Sequence, residues 1–124
     1  MGSERARIRR LFMRLMEQPL MDFPAARQPL EAPEKHGVYV ITKGKSVFHV
    51  GRTTRAQRGL HQRLSAHLYG RSSFTRVVFN RDGSQLRAGF KFRYLVVQNA
   101  RHRALLEAYA AGCLCPKHMG VGVK

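Results

Sequence analysis

From Gly37 to Thr42 the chain reads Gly-Val-Tyr-Val-Ile-Thr, a run of β-branched and aromatic residues. Lys43-Gly44-Lys45 interrupts it, and Ser46–Val50 resumes the extended pattern. The pattern predicts a β-hairpin with a three-residue loop, which pairs Thr42 with Ser46 and, counted back, sets Tyr39 opposite His49. The period then changes. From Gly59 to Leu68 the apolar positions Leu60, Leu64 and Leu68 repeat as one helical stripe. On the adjoining stripe Arg63 and His67 stand four apart, so their side chains project together. Phe90, Phe92, Tyr94 and Val96 alternate with Lys91, Arg93 and Leu95, the period of a strand with one face on a core. A last helix is predicted over Ala100–Leu114, with Leu105, Leu106, Ala108, Tyr109 and Cys113 as wide apolar coverage, and Pro116 closes it.

Two stretches are less regular. Near the N-terminus Ser3 and Glu4 precede Ile8, Leu11, Phe12, Leu15 and Met16, which share one stripe opposite several arginines and predict an amphipathic helix ending near Gln18-Pro19. Such a helix packs on the domain or on a partner chain; it offers a face for a homodimer, or an arm that lays arginines on a phosphate backbone. Pro19, Pro24, Pro29 and Pro33 then mark an irregular connector. Residues 70–89 carry loop signals around Phe74, Val77, Val78 and Phe79, and read as an inserted, mobile segment. The expected fold is an α/β (α+β) domain: a small, mainly antiparallel three-stranded sheet flanked by helices. Residues 1–35 form the N-terminal helix and connector and residues 36–124 the folded domain.

Charge narrows the partners. The net charge is +16, and it is unevenly spread: residues 1–34 hold six basic and five acidic side chains, whereas residues 35–124 hold seventeen Lys or Arg and two acids, Asp82 and Glu107. A surface so basic attracts polyanions, and nucleic acid is the expected partner, DNA first and RNA as the alternative. No apolar run approaches the roughly 20 residues of a membrane helix. Arg14 and Glu17 break the apolar pattern that a secretory signal needs, so a cytoplasmic location is the default expectation.

Glu107 stands out because it lies mid-helix between Leu106 and Ala108 in the basic half of the chain. It is the one group there suited to a hard cation such as Mg²⁺, although an intrahelical pair with Arg103 would also account for it. Cys113, Cys115 and His118 lack a fourth zinc ligand, and two cysteines in such a chain are expected reduced and partly buried.

Taken in order, Gly37-Val38-Tyr39, His49-Val50-Gly51, Arg52, the Arg63-x-x-x-His67 pair and Glu107 resemble the GIY-YIG nuclease pattern, over about residues 36–116. The Arg-x-x-x-His spacing is similar to the restriction-enzyme-like branch. The resemblance implies a metal-dependent endonuclease using one Mg²⁺ or Mn²⁺. Tyr39 with His67 would take a proton from the attacking water, Arg63 would hold the scissile phosphate, Arg52 would bind a flanking phosphate, and Glu107 would ligate the metal. Arg55, Arg58, Lys43, Lys45 and His118 are candidate nucleic-acid contacts. Two positions depart from the pattern: His49 replaces the usual Tyr, and His118 follows Pro116 where the family often has Asn. A binding-only module with the same groove, or a basic RNA-binding protein, is the competing reading.

Overall fold

The computed structural model describes residues 3–119; residues 1, 2 and 120–124, the outer ends of the two expected units, lie outside it. Helix α1 (Glu4–Glu17) starts where Ser3 Oγ accepts from the Ala6 amide at 3.0 Å. Next come β1 (Met21–Asp22), β2 (Gly37–Lys43), β3 (Ser46–Arg52), α2 (Gly59–Leu68), α3 (Ser73–Val78), a 3₁₀ turn over Gly83–Arg87, β4 (Phe90–Val96) and α4 (Ala100–Leu114). The sheet is antiparallel in the order β1-β4-β2-β3. It therefore has four strands rather than three. The extra one, β1, comes from the proline-punctuated connector, where two residues pair with Lys91 and Phe92 of β4. So short a strand has no period of its own; its neighbour makes it a strand.

The hairpin closes one residue tighter than expected. Lys43 pairs with Ser46 around Gly44, whose φ of +58° suits glycine, and a bulge between Ile41 and Thr42 then shifts the register. Tyr39 consequently faces Gly51, and Ile41 faces His49. Tyr39 and His49 still share a face as diagonal neighbours, with ring centroids 5.9 Å apart. The glycine opposite Tyr39 is functional in shape: a Cβ there would overlap the Tyr39 hydroxyl.

Helices cover both faces of the sheet. On one side Ile8 and Leu15 of α1 and Leu106 and Ala110 of α4 pack on Val38, Val40, Val50 and Leu95, and Phe12 meets Tyr109 edge-on at 5.3 Å. On the other, Leu60, Leu64 and Leu68 of α2 pack with Tyr39, Ile41, Phe92, Phe23 and Leu30. Residues 70–89 belong to this second core and are not a mobile insertion. Phe74 and Leu86 are fully buried and Phe79 nearly so, each such side chain contributing about 1.5–3 kcal/mol. Ser72 and Thr75 form a capping box at α3, a signal obscured by the surrounding glycines and serines. No helix among the described residues is long and apolar enough to cross a membrane.

Candidate active site

Strand β3 is an edge strand, and residues of α2 and α4 from the two faces line the space beside it. Tyr39, His49, Gly51, Arg52, Arg63, Glu107 and His118 all line one cavity of about 630 Å³ at this edge. A neighbouring cavity of about 490 Å³ shares Arg52, Arg63 and Glu107 with it and adds Arg55 and Gln62. His67 lies behind Tyr39 and is fully buried. The residues of the motif pattern are thus gathered from two strands, two helices and the C-terminal segment.

Tyr39 Oη and His67 Nε2 are 2.5 Å apart, and His67 Nδ1 lies 2.6 Å from Ser72 Oγ. Ser72 Oγ is in turn 3.0 Å from Thr75 Oγ1, which donates to the Ser72 carbonyl at 3.2 Å. The result is a buried chain of hydrogen bonds from the cavity wall into α3. Ser72 and Thr75 were not legible as site residues; a serine five positions after a helical histidine carries no signal until α3 folds back on α2. Burial pushes the Tyr39 hydroxyl well above the usual tyrosine range, against the pull of the Arg63 guanidinium beside it. Burial also holds His67 well below the usual imidazole range, with His49 and Arg63 acting in the same direction.

His49 stacks on Phe74 at 4.8 Å and 13°, and its Nδ1 is 3.1 Å from His118 Nδ1. Backbone pairing fixes this contact, since the His118 amide donates to the Phe48 carbonyl at 2.9 Å. Desolvation, then His118 and Arg63, lowers His49 to about 3.

Acid should therefore destabilise the protein. Both buried imidazoles titrate below their unfolded value of about 6.5, so the unfolded chain alone takes up protons as pH falls below it. The stability these neutral rings retain at pH 7 drains away by up to about 1.4 kcal/mol per pH unit for each, until the folded values are reached. Glu107, raised, offsets a part of this. Denaturant midpoints measured from pH 7 to 4.5 test it. A flat curve between 6.5 and 5 would contradict the burial of these rings.

Glu107 does not pair with Arg103. That guanidinium is turned into the fold, donating to the carbonyls of Thr53, Val97 and Gln98 at 2.9–3.0 Å. Instead Arg52 Nη1 donates to Glu107 Oε1 at 2.7 Å. Partial burial raises the Glu107 carboxyl, while Arg52 and Arg63 oppose the shift. Of the other basic candidates, Arg58 pairs with Glu34 at 3.0 Å on the surface. Lys43 and Lys45 sit at the hairpin tip, Lys43 5.1 Å above the Phe90 ring, and neither lines the two cavities. Cys113 and Cys115 are both exposed rather than partly buried, since Leu106, Ala110 and Leu114 form the face of α4 that meets the core.

Among the described residues no three His, Cys, Asp or Glu side chains form a metal cluster. The donor set is one carboxylate opening on a cavity. Mg²⁺ is commonly held by one or two carboxylates, with water and phosphate oxygens filling the remaining positions, so this set fits an ion completed by substrate.

No family model and no curated protein matches the chain. Among solved structures it is similar to the GIY-YIG N-terminal endonuclease domain of UvrC from Thermotoga maritima bound to magnesium, its catalytic divalent cation. The TM-score is 0.53 at 19% identity, covering 94% of this chain and 97% of that one. A point mutant of the same domain, bound to its catalytic divalent cation, gives a TM-score of 0.52 at 19% identity over 94% and 96%. By this likeness and by the order of its motif residues along strand, strand, helix and helix, the chain has the GIY-YIG fold.

Proposed function

We propose that the protein is a metal-dependent endonuclease that hydrolyses DNA phosphodiester bonds at a single-metal site. The observation that carries this reading is the convergence of Tyr39, backed by His67, with Arg63 and Glu107 on one cavity. Arg63 holds the scissile phosphate and offsets the charge that builds on it. The attacking water gives its proton to the Tyr39 oxygen as the phenolic proton passes to His67 Nε2, and Ser72 accepts from His67 Nδ1. Burial keeps the His67 ring neutral, and in the tautomer whose Nδ1 donates to Ser72 the bare Nε2 is the acceptor. Glu107 would hold one Mg²⁺ or Mn²⁺, which when bound polarises the phosphate and stabilises the leaving oxygen. The products of this reading are a 5′-phosphate and a 3′-hydroxyl.

Arg52 stands apart, because it is already engaged by Glu107. To reach a flanking phosphate it must exchange the carboxylate for the substrate, which frees Glu107 for the ion in the same movement. The closed pair also favours a second reading, a binding-only module. The chain is to be incubated with single-stranded DNA, duplex DNA and RNA, each with Mg²⁺, Mn²⁺ or chelator. Metal-dependent cleavage of DNA is expected, and no cleavage of any substrate at high enzyme excess would leave the binding-only module standing. His49→Tyr is the companion test. His49 is nearly buried between Phe74 and His118, so a larger ring must displace His118, and lower cleavage is expected. A gain in activity would mean that the histidine pair is a defect in the site.

A further inference from the structure

Six of the seventeen arginines are held by acids or backbone carbonyls. Arg52, Arg58 and Arg101 pair with Glu107, Glu34 and Glu4, and Arg87, Arg93 and Arg103 donate to backbone carbonyls. Three others, of which Arg71 lies 5.5 Å over the Tyr69 ring, line a single cavity. Arg71, Arg76 and Arg81, with Gly70, Ser72 and Ser73, enclose about 420 Å³ between the end of α2 and α3, and no carboxylate among the described residues lines it. None of the three has an acidic partner within 4.0 Å among the described residues. The neighbouring acid, Asp82, is turned away to accept from the Ser84 amide at 3.2 Å. Guanidinium groups so placed repel one another unless an anion lies between them.

The backbone there is held in place at a cost. Asn80 and Arg81 both adopt left-handed conformations, φ 50° and 70°, secured by the Arg81 amide donating to Thr75 at 2.9 Å. Gly70 is pressed against the Arg81 carbonyl, where a Cβ would collide with it. This clamp brings Arg81 beside Arg71. The cavity also adjoins the candidate active site, since Ser73 lines both.

We propose that the Arg71–Arg76–Arg81 cavity is a phosphate subsite for the nucleic-acid backbone, gripping the strand that leaves the active-site cavity past Ser73. Its ligand class is the phosphodiester, without base selection. The direction of the strand rests on the nuclease reading; the binding site itself does not.

The test compares two charge-matched variants in chelator, using labelled single-stranded and duplex DNA of about twenty nucleotides across a salt series. One is Arg71→Gln/Arg76→Gln/Arg81→Asn, with Asn chosen because it tolerates the left-handed backbone. The other is Arg5→Gln/Arg9→Gln/Arg10→Gln, on exposed positions of α1 across the sheet. The cavity variant is expected to bind at least about tenfold more weakly, with a log–log salt slope shallower by roughly 2 to 3, while the α1 variant loses much less. Equal losses would overturn the proposal, because the arginines would then count only as diffuse charge, and so would unchanged affinity. Should the triple variant unfold, Arg76→Gln alone, exposed on α3, is expected to lower the slope by about 0.7–0.9, and no change would overturn the proposal. A wild-type protein that binds DNA but never cuts it removes the nuclease reading and leaves this comparison intact.

Discussion

Replacing Glu107 by Gln is expected to abolish metal-dependent cleavage, by about a thousandfold or more, while DNA affinity in chelator stays close to wild type. The size follows from the role. A metal that polarises a phosphate lowers the barrier by several kcal/mol, and each 1.4 kcal/mol is about tenfold in rate. Glu107 is the sole carboxylate among the described residues that lines the cavity, so none of them replaces it. The glutamine retains shape and can still accept from Arg52, which limits structural damage. Affinity should hold or rise slightly, because losing a negative charge beside Arg52 and Arg63 leaves both freer for phosphate. Cleavage and anisotropy assays on one preparation decide it. Loss of binding in parallel with cleavage would point to Glu107 as a support for Arg52 and not as the metal's ligand.

The parts of this site visible in the sequence are those set by local period. Leu60, Leu64 and Leu68 fixed the buried face of α2, and with it the placing of Arg63 and His67 toward the same side. The alternation after Phe90 and the apolar run into Glu107 placed β4 and α4 just as directly. What could not be read was decided by contacts between distant segments. The hairpin register hinged on a bulge at Ile41, the edge strand on whether Met21 met Phe92, and the burial of Phe74 on α3 folding over the sheet. The alternative partner for Glu107 in its own helix falls away for a related reason. Arg103 is nearer in sequence, but it is consumed by three carbonyls at the end of β4 and the loop after β3, a need invisible until those strands are paired.

Substituting Tyr39 by Phe is expected to lower the turnover rate by about 10² to 10⁴, the usual range for losing a positioned proton-transfer group, with little change in DNA affinity or fold. The ring remains in the core and only the hydroxyl is lost, so packing on Leu60 and Leu64 persists. What disappears is the atom that joins the cavity to His67 Nε2. The same chain predicts a graded result further in. Ser72→Ala removes the partner of His67 Nδ1 and should cost up to about 100-fold in turnover, the scale of mispositioning a reacting group. Ser72→Thr keeps both the hydroxyl and the α3 cap and should recover most of it. A purely structural role would make the alanine variant less stable without moving the ring's proton, so nitrogen NMR of His67 separates the two. Wild type should show Nδ1 protonated and Nε2 bare, and the alanine variant a mixture. If wild type instead carries its proton on Nε2, Tyr39 cannot hand its own proton there, and the relay would have to run in the other direction.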